Sequence, residues 1–237
     1  MRISLCVPMY NESSIIAETA KDLHKYMTLH YDNDFEIIFA DDGSRDGSAK
    51  IVEELGLPNV RVVGYTQNQG KGCAVRNGVL ASRGDVVIFT DADLAYGMEL
   101  IDDTVKIIES KSHNMLVASR SKHSEGYEGY TFIRKLASKV YLKVINIFGG
   151  IKISDAQCGF KAYEGDVGRK IFSLCKTNNF AFDLEVILFA QKMKLAIYEL
   201  PAKIINHRES KVNVVKDAIR MLKAISTIKK NVKNTKI

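Results

Sequence analysis

The chain has 237 residues, 46% of them hydrophobic, which is enough for one sizeable α/β domain with its own core. Its net charge of +6 and pI near 9.0 favour anionic partners such as a nucleotide, a nucleic acid or an acidic lipid surface. Cys6, Cys73, Cys158 and Cys175 lie far apart with no Cys-x-x-Cys pair or Cys/His cluster, which argues against zinc ligation and for free buried thiols.

In chain order, Arg2 to Pro8 reads as a buried strand, followed by a helix from Asn11 to His30 entered through the capping residues Asn11, Ser13 and Ser14. Phe35 to Ala40 gives a second strand, ending in the turn-rich run Asp41-Asp42-Gly43-Ser44-Arg45-Asp46-Gly47 before a helix from Ser48 to Leu55. A third strand is predicted over Val60 to Tyr65, a helix over Lys71 to Ala81 and a fourth strand over Val86 to Thr90. Such alternation predicts a mainly parallel sheet with helices on both faces and ligands at the carboxyl ends of the strands. The loops Pro8 to Glu12, Asp41 to Ser44 and Asp91 to Asp93 are therefore expected to converge on one sheet edge.

Asp91-Ala92-Asp93 closes the apolar run Val86-Val87-Ile88-Phe89. An extended Asp-x-Asp projects both carboxylates to one side, where they can share a divalent cation that also holds a diphosphate. No Gly-x-Gly-x-x-Gly follows the first strand and no Walker lysine loop is present, which weakens dehydrogenase and P-loop readings. Gly70-Lys71-Gly72, opening a helix, instead offers backbone amides and one ammonium to phosphate, or is an ordinary flexible turn.

Asp183 and Glu185 are base candidates, pointing the same way on a strand or loop but not on a helix. The competing reading makes Asp183 a helix N-cap, with Glu185 favouring the positive helix end. Arg134 and Ser138, four apart, share a helix face, and a guanidinium suits a phosphate. Tyr130 to Gly149 and Val212 to Val232 both set apolar residues at helical spacing against Lys and Arg, so each either packs on the domain or lies on an anionic membrane. Twelve Lys or Arg between Lys192 and Lys236 concentrate the positive charge at the C-terminal end. No apolar window is long enough to span a bilayer, and the first residues are too short for a signal peptide, so a cytoplasmic protein with peripheral membrane contact is expected.

Together, Val7-Pro8-Met9-Tyr10-Asn11-Glu12, the Asp41 to Gly47 run, Asn68-Gln69-Gly70-Lys71-Gly72 and Asp91-Ala92-Asp93 resemble the inverting glycosyltransferases of family 2, which have the GT-A fold. Asp155 to Lys161, Phe180 to Glu185 and Ser210-Lys211 are similar to the branch that glycosylates polyprenyl phosphates, most of all the dolichyl-phosphate glucosyltransferases. The resemblance runs from Ile3 to about Leu222 and implies a single mixed, mainly parallel sheet with a Rossmann-like nucleotide-binding half. A GT-A domain over 1–211 is expected, followed by a basic amphipathic helix and tail over 212–237.

The resemblance further implies that Pro8, Tyr10, Glu12 and Asp41 or Asp42 hold the nucleoside and that Lys71 touches phosphate. Asp91 and Asp93, flanking Ala92, would hold Mg2+ or Mn2+ against the diphosphate. Related mannose enzymes carry a glutamine ligand two residues after this motif; here that position is Ala95, so water or another residue completes the shell. Arg120, Arg134, Ser138 and Arg208 match the acceptor-phosphate positions. Asp93, Asp183 and Glu185 are the candidate catalytic residues.

The implied reaction is inverting, metal-dependent transfer of a hexose, with UDP-glucose favoured, to a polyprenyl or dolichyl phosphate. The alternatives are a family 2 enzyme acting on a saccharide hydroxyl and a GDP-mannose-dependent polyprenyl-phosphate mannosyltransferase. A nucleic-acid-binding module ranks below these, since it would turn paired aspartates toward a polyanion and lacks interleaved aromatic and basic residues.

Overall fold

The computed structural model describes residues 2–127, 142–143, 146–206 and 214–237, the side chains of 214–222 excepted. Seven strands form one sheet: β1 (Ile3–Met9), β2 (Phe35–Asp41), β3 (Val60–Gly64), β4 (Val86–Thr90), β5 (Met115–Ser119), β6 (Phe160–Glu164) and β7 (Ile197–Pro201), in the spatial order β3-β2-β1-β4-β6-β5-β7. All pairings are parallel except those of β6, which runs antiparallel to β4 and β5. β1, β2 and β4 are buried along their whole length, as expected for strands covered by helices on both faces.

Two apolar layers sandwich the sheet. One is made with α1 (Ile16–Tyr31), α2 (Ser48–Glu54) and α4 (Glu99–Glu109), the other with α3 (Lys71–Ala81), α5 (Gly165–Leu174), α6 (Phe182–Lys192) and α7 (Val214–Asn234). α1 buries Ile16, Ala20, Leu23 and Met27, a stripe at helical spacing. α6 is buried on nearly every side because it lies between the sheet and α7.

The expected helix from Asn11 begins instead at Ile16, and Ile15 at its start supplies no side-chain cap. The Asn11 side chain, one of the expected cap acceptors, is engaged elsewhere. Asn11, with φ +53°, accepts the Arg45 amide on Oδ1 at 2.9 Å, while the Asn11, Glu12 and Ser13 amides donate to Ser44, Ser48 and Asp46. These bonds stitch the β1 loop to the β2 loop, and the helix starts only beyond them.

α7 also settles one amphipathic stripe. Ile225, Ile228 and Val232 are buried in the core layer beneath it, and Lys192 of α6 donates to the Val232, Lys233 and Thr235 carbonyls at 2.6–3.0 Å. A lysine on orphan carbonyls at a helix end satisfies both charge and hydrogen bonding.

Candidate active site

Chain order β1-β2-β3 builds outward on one side of β1, and the chain then crosses back to lay β4 on the other. The crevice at the carboxyl ends of β1 and β4 is therefore the topological switch point, where open α/β sheets bind ligands. It holds Pro8 near the end of β1, Tyr10 and Glu12 after it, and Asp91, Ala92 and Asp93 after β4, with Asp41 and Asp42 alongside at the end of β2. Tyr10 is exposed at the rim.

The neighbouring aspartates Asp41 and Asp42 turn inward. Asp41 accepts the Ser44 amide and hydroxyl and so shapes its own turn. Asp42, 4% exposed, accepts the Tyr65 hydroxyl at 2.6 Å, the Asn68 side-chain amide at 2.8 Å and the backbone amides of Gln69 and Gly70 at 2.9 and 3.0 Å. Burial, and then this bond to Asp42, hold the Tyr65 phenol well above its ordinary value. Asp42 thus builds the loop that delivers Lys71, and the Gly70 amide, expected to face phosphate, points into it instead.

Lys71 is the first residue of α3, and its ammonium lies 2.6 Å from Asp91 Oδ1, with the rings of Phe89 and Phe180 at 5.4 and 5.9 Å. Burial alone lowers the lysine's pKa, but Asp91, with Asp183 and Asp93 behind it, outweighs that and holds it above its ordinary value. Asp93 Oδ1 accepts the Ala95 amide at 3.1 Å, so Ala95 contributes its backbone to the motif. Asn206 reaches from beyond β7 to the Asp93 and Leu94 carbonyls at 3.2 and 3.3 Å.

The antiparallel β6 brings a second segment to this point. Phe160 pairs with Thr90, which sets Gly159 against Asp91, and a Cβ at Gly159 would overlap Asp91 Oδ2. Lys161 is fully buried; it donates to the Cys158 carbonyl at 2.6 Å and pairs with Asp183 Oδ1 at 2.7 Å. Burial pushes the Asp183 carboxyl above its ordinary value against the pull of Lys161 and Lys71. No role was assigned to Lys161 from sequence, because a lysine between Phe160 and Ala162 reads as the outward residue of an alternating strand, and only the helix covering this face buries it.

Glu185 stands apart from Asp183. Fully buried, it accepts the Lys176 and Thr177 amides at 2.9 and 2.7 Å. It anchors the 175–181 loop, whose Thr177 and Asn178 carbonyls lie against Gly72 and Gly70 so closely that a Cβ at either glycine would clash. The N-cap of α6 is Ala181, so Asp183 does not cap it.

At the end of β5, the Arg120 guanidinium forks onto the buried Asp155, Nε to Oδ2 at 2.6 Å and Nη2 to Oδ1 at 2.8 Å, and packs over Tyr127. Arg134, Ser138 and Arg208 lie outside the described residues. All four cysteines are free and buried, and burial raises the Cys158 thiol to about 12, which keeps it protonated at neutral pH.

A mixed seven-stranded sheet with helices on both faces is the architecture of the GT-A glycosyltransferases, and the Asp-x-Asp lies at its switch point. The chain belongs to glycosyl transferase family 2, whose family model matches residues 4–172, and is a glycosyltransferase. It is 31% identical to the dolichyl-phosphate beta-glucosyltransferase of Dictyostelium discoideum over 96% of this chain and 73% of the relative. It is 30% identical to the enzyme of the same name from Saccharomyces cerevisiae over 96% and 74%. The glucosyl-3-phosphoglycerate synthase of Mycobacterium tuberculosis, solved with Mn2+, UDP-glucose and phosphoglyceric acid, shares the fold with TM-score 0.68 at 18% identity, over 99% of this chain and 81% of that one. Mannosyl-3-phosphoglycerate synthase from Rubrobacter xylanophilus gives TM-score 0.69 at 18% identity, over 97% and 73%.

Proposed function

We propose that this protein transfers glucose from UDP-glucose, with inversion, to a dolichyl or other polyprenyl phosphate. The donor's diphosphate would lie along Asp91, Asp93 and Lys71. Two hard carboxylate donors, together with phosphate oxygens and water, fit Mg2+ or Mn2+. When bound, such an ion supplies Lewis-acid stabilisation of the departing nucleoside diphosphate.

The choice of acceptor rests on Asp183. A saccharide hydroxyl needs a carboxylate base, whereas a phosphate monoester, with a second pKa of about 6, is already anionic at neutral pH. The raised pKa of Asp183 would suit a base, but its carboxylate is committed to a fully buried lysine, and Glu185 is committed to backbone amides. A candidate base held in an ion pair with a buried lysine favours the phosphate acceptor, with Arg120, Arg134, Ser138 and Arg208 its proposed contacts. The dolichyl-phosphate relatives support the same reading.

Membrane contact is proposed as peripheral, on the cytoplasmic face. Among the described residues, no helix is long and apolar enough to cross a bilayer. The described apolar residues of α7, Ile225, Ile228 and Val232, face inward, but Ile147 and Phe148 stand side by side at 66% and 60% exposed near Lys143 and Lys229. Co-sedimentation with anionic liposomes at low salt, weakening as salt rises, is the expected behaviour; absence of binding at low salt would count against it.

Incubation with a panel of nucleotide sugars, Mn2+ or Mg2+ and dolichyl phosphate tests the reaction. Dolichyl phosphate glucose from UDP-glucose is expected, abolished by EDTA, and Arg134→Ala should lose lipid product while retaining donor hydrolysis. No glycolipid from any donor would overturn the assignment, and product on a saccharide that depends on Asp183 would favour the hydroxyl-acceptor alternative.

A further inference from the structure

Both oxygens of Asp91 have a close neighbour. Oδ2 is pressed against the bare Cα of Gly159, where even a methyl group would overlap it, and Oδ1 carries the Lys71 ammonium at 2.6 Å. The Asp91 side chain is itself 28% exposed, so a cation that binds it there competes with the Lys71 ammonium for Oδ1. Lys71 is a quarter exposed on an unbranched stem at the start of α3, so its ammonium can leave by side-chain rotation alone.

Charge balance points the same way. Asp91, Asp93 and Asp183 face Lys71 and Lys161, one negative charge in excess. A dication alone would reverse that sign and a nucleoside diphosphate alone would deepen it, whereas the two together nearly cancel.

We propose that Lys71 is a built-in counter-ion that holds the divalent cation's place on Asp91. The diphosphate of the donor draws the ammonium onto itself and so opens Asp91 to the metal. This rests on the metal-dependent reading above and adds an order to it: metal uptake is coupled to nucleotide through one side-chain movement. The ammonium serves the carboxylate before the donor arrives and the leaving phosphate afterwards.

The test is direct Mn2+ binding to the full chain, followed by the electron paramagnetic resonance signal of free Mn2+, with and without UDP. The wild-type protein should bind Mn2+ weakly alone and at least about tenfold more tightly with UDP. Lys71→Met and Lys71→Gln should each bind Mn2+ about tenfold more tightly than wild type without UDP, with the added benefit of UDP reduced. Lys71→Met combined with Asp91→Asn should lose that gain, which separates release of Asp91 from a general loss of positive charge. Unchanged Mn2+ affinity in both single variants, or a gain that survives Asp91→Asn, overturns the counter-ion role alone. No Mn2+ binding by any of the proteins, even with UDP, overturns the metal-dependent reading and the counter-ion with it.

Discussion

Lys161 is fully buried in the middle of the sheet, its ammonium between the Cys158 carbonyl and Asp183. A buried ion pair contributes little compared with well-packed apolar residues, but breaking it strands a charge. Lys161→Met is therefore expected to cost about 3–5 kcal/mol in urea denaturation, and Lys161→Met with Asp183→Leu to recover most of that loss. A stable Lys161→Met protein would sink the argument. The pH dependence has a definite sign. Burial raises the folded-state pKa of Asp183 above its unfolded value, so its contribution is complete below the unfolded value and lost as pH rises through the folded one. Without Lys161 that pKa rises further, and the Lys161→Met deficit should shrink on acidification. Asp42 teaches a related lesson, since in sequence it looks like Asp41, yet only burial shows that it is saturated by Tyr65, Asn68, Gln69 and Gly70.

At the scale of the element, α6 decides what Asp183 and Glu185 can do. Two residues on a helix stand roughly 200° apart, so Asp183 faces Lys161 while Glu185 faces the 175–181 loop. Sequence reasoning posed this alternative but could not choose, because the run after Phe182 is apolar on every side and shows no helical face. Glu185→Ala leaves two backbone amides without their acceptor and should cost about 1–3 kcal/mol for each that stays buried. Glu185→Gln keeps an acceptor oxygen and should retain kcat per folded molecule, as measured by activity normalised to the folded fraction. A collapse of kcat in a fully folded Glu185→Gln protein would restore it as a catalytic residue. α7 shows the limit of periodicity: the stripe Val215, Ile219, Leu222, Ile225 and Ile228 was legible, but whether the described Ile225 and Ile228 met lipid or protein depended on α6 lying beneath them.

For the whole molecule, the end of the sheet opposite the active site is tied by Glu36 of β2. It accepts the Ser4 hydroxyl at 2.7 Å, the Arg83 amide at 2.7 Å and the Arg61 guanidinium at 3.1 Å, linking β1, β3 and the turn before β4. Burial alone would raise its pKa, but these bonds outweigh it and hold the carboxyl below its ordinary value. The stability it contributes is therefore present above the unfolded-state value and lost as pH falls through the folded-state value. Glu36→Gln should be less stable than wild type by about 1–3 kcal/mol at pH 7, with the gap closing in acid; a gap that widens in acid would contradict the assignment.

The sequence by itself determined the alternation of β1 to β4 with their helices, the meeting of three loops at one sheet edge and the family, because apolar runs, turn residues and motif spacing are local properties. It did not reveal that Asp42 and Glu185 accept backbone amides, or that Ile225 and Ile228 of α7 turn inward. Nor did it show that Gly159 and Lys161 complete the aspartate site. Those depended on β6 entering antiparallel beside β4, which sets residues some seventy positions apart against one another. Hydrogen-bond saturation and charge pairing at that distance belong to the packed chain, and only the tertiary structure decides them.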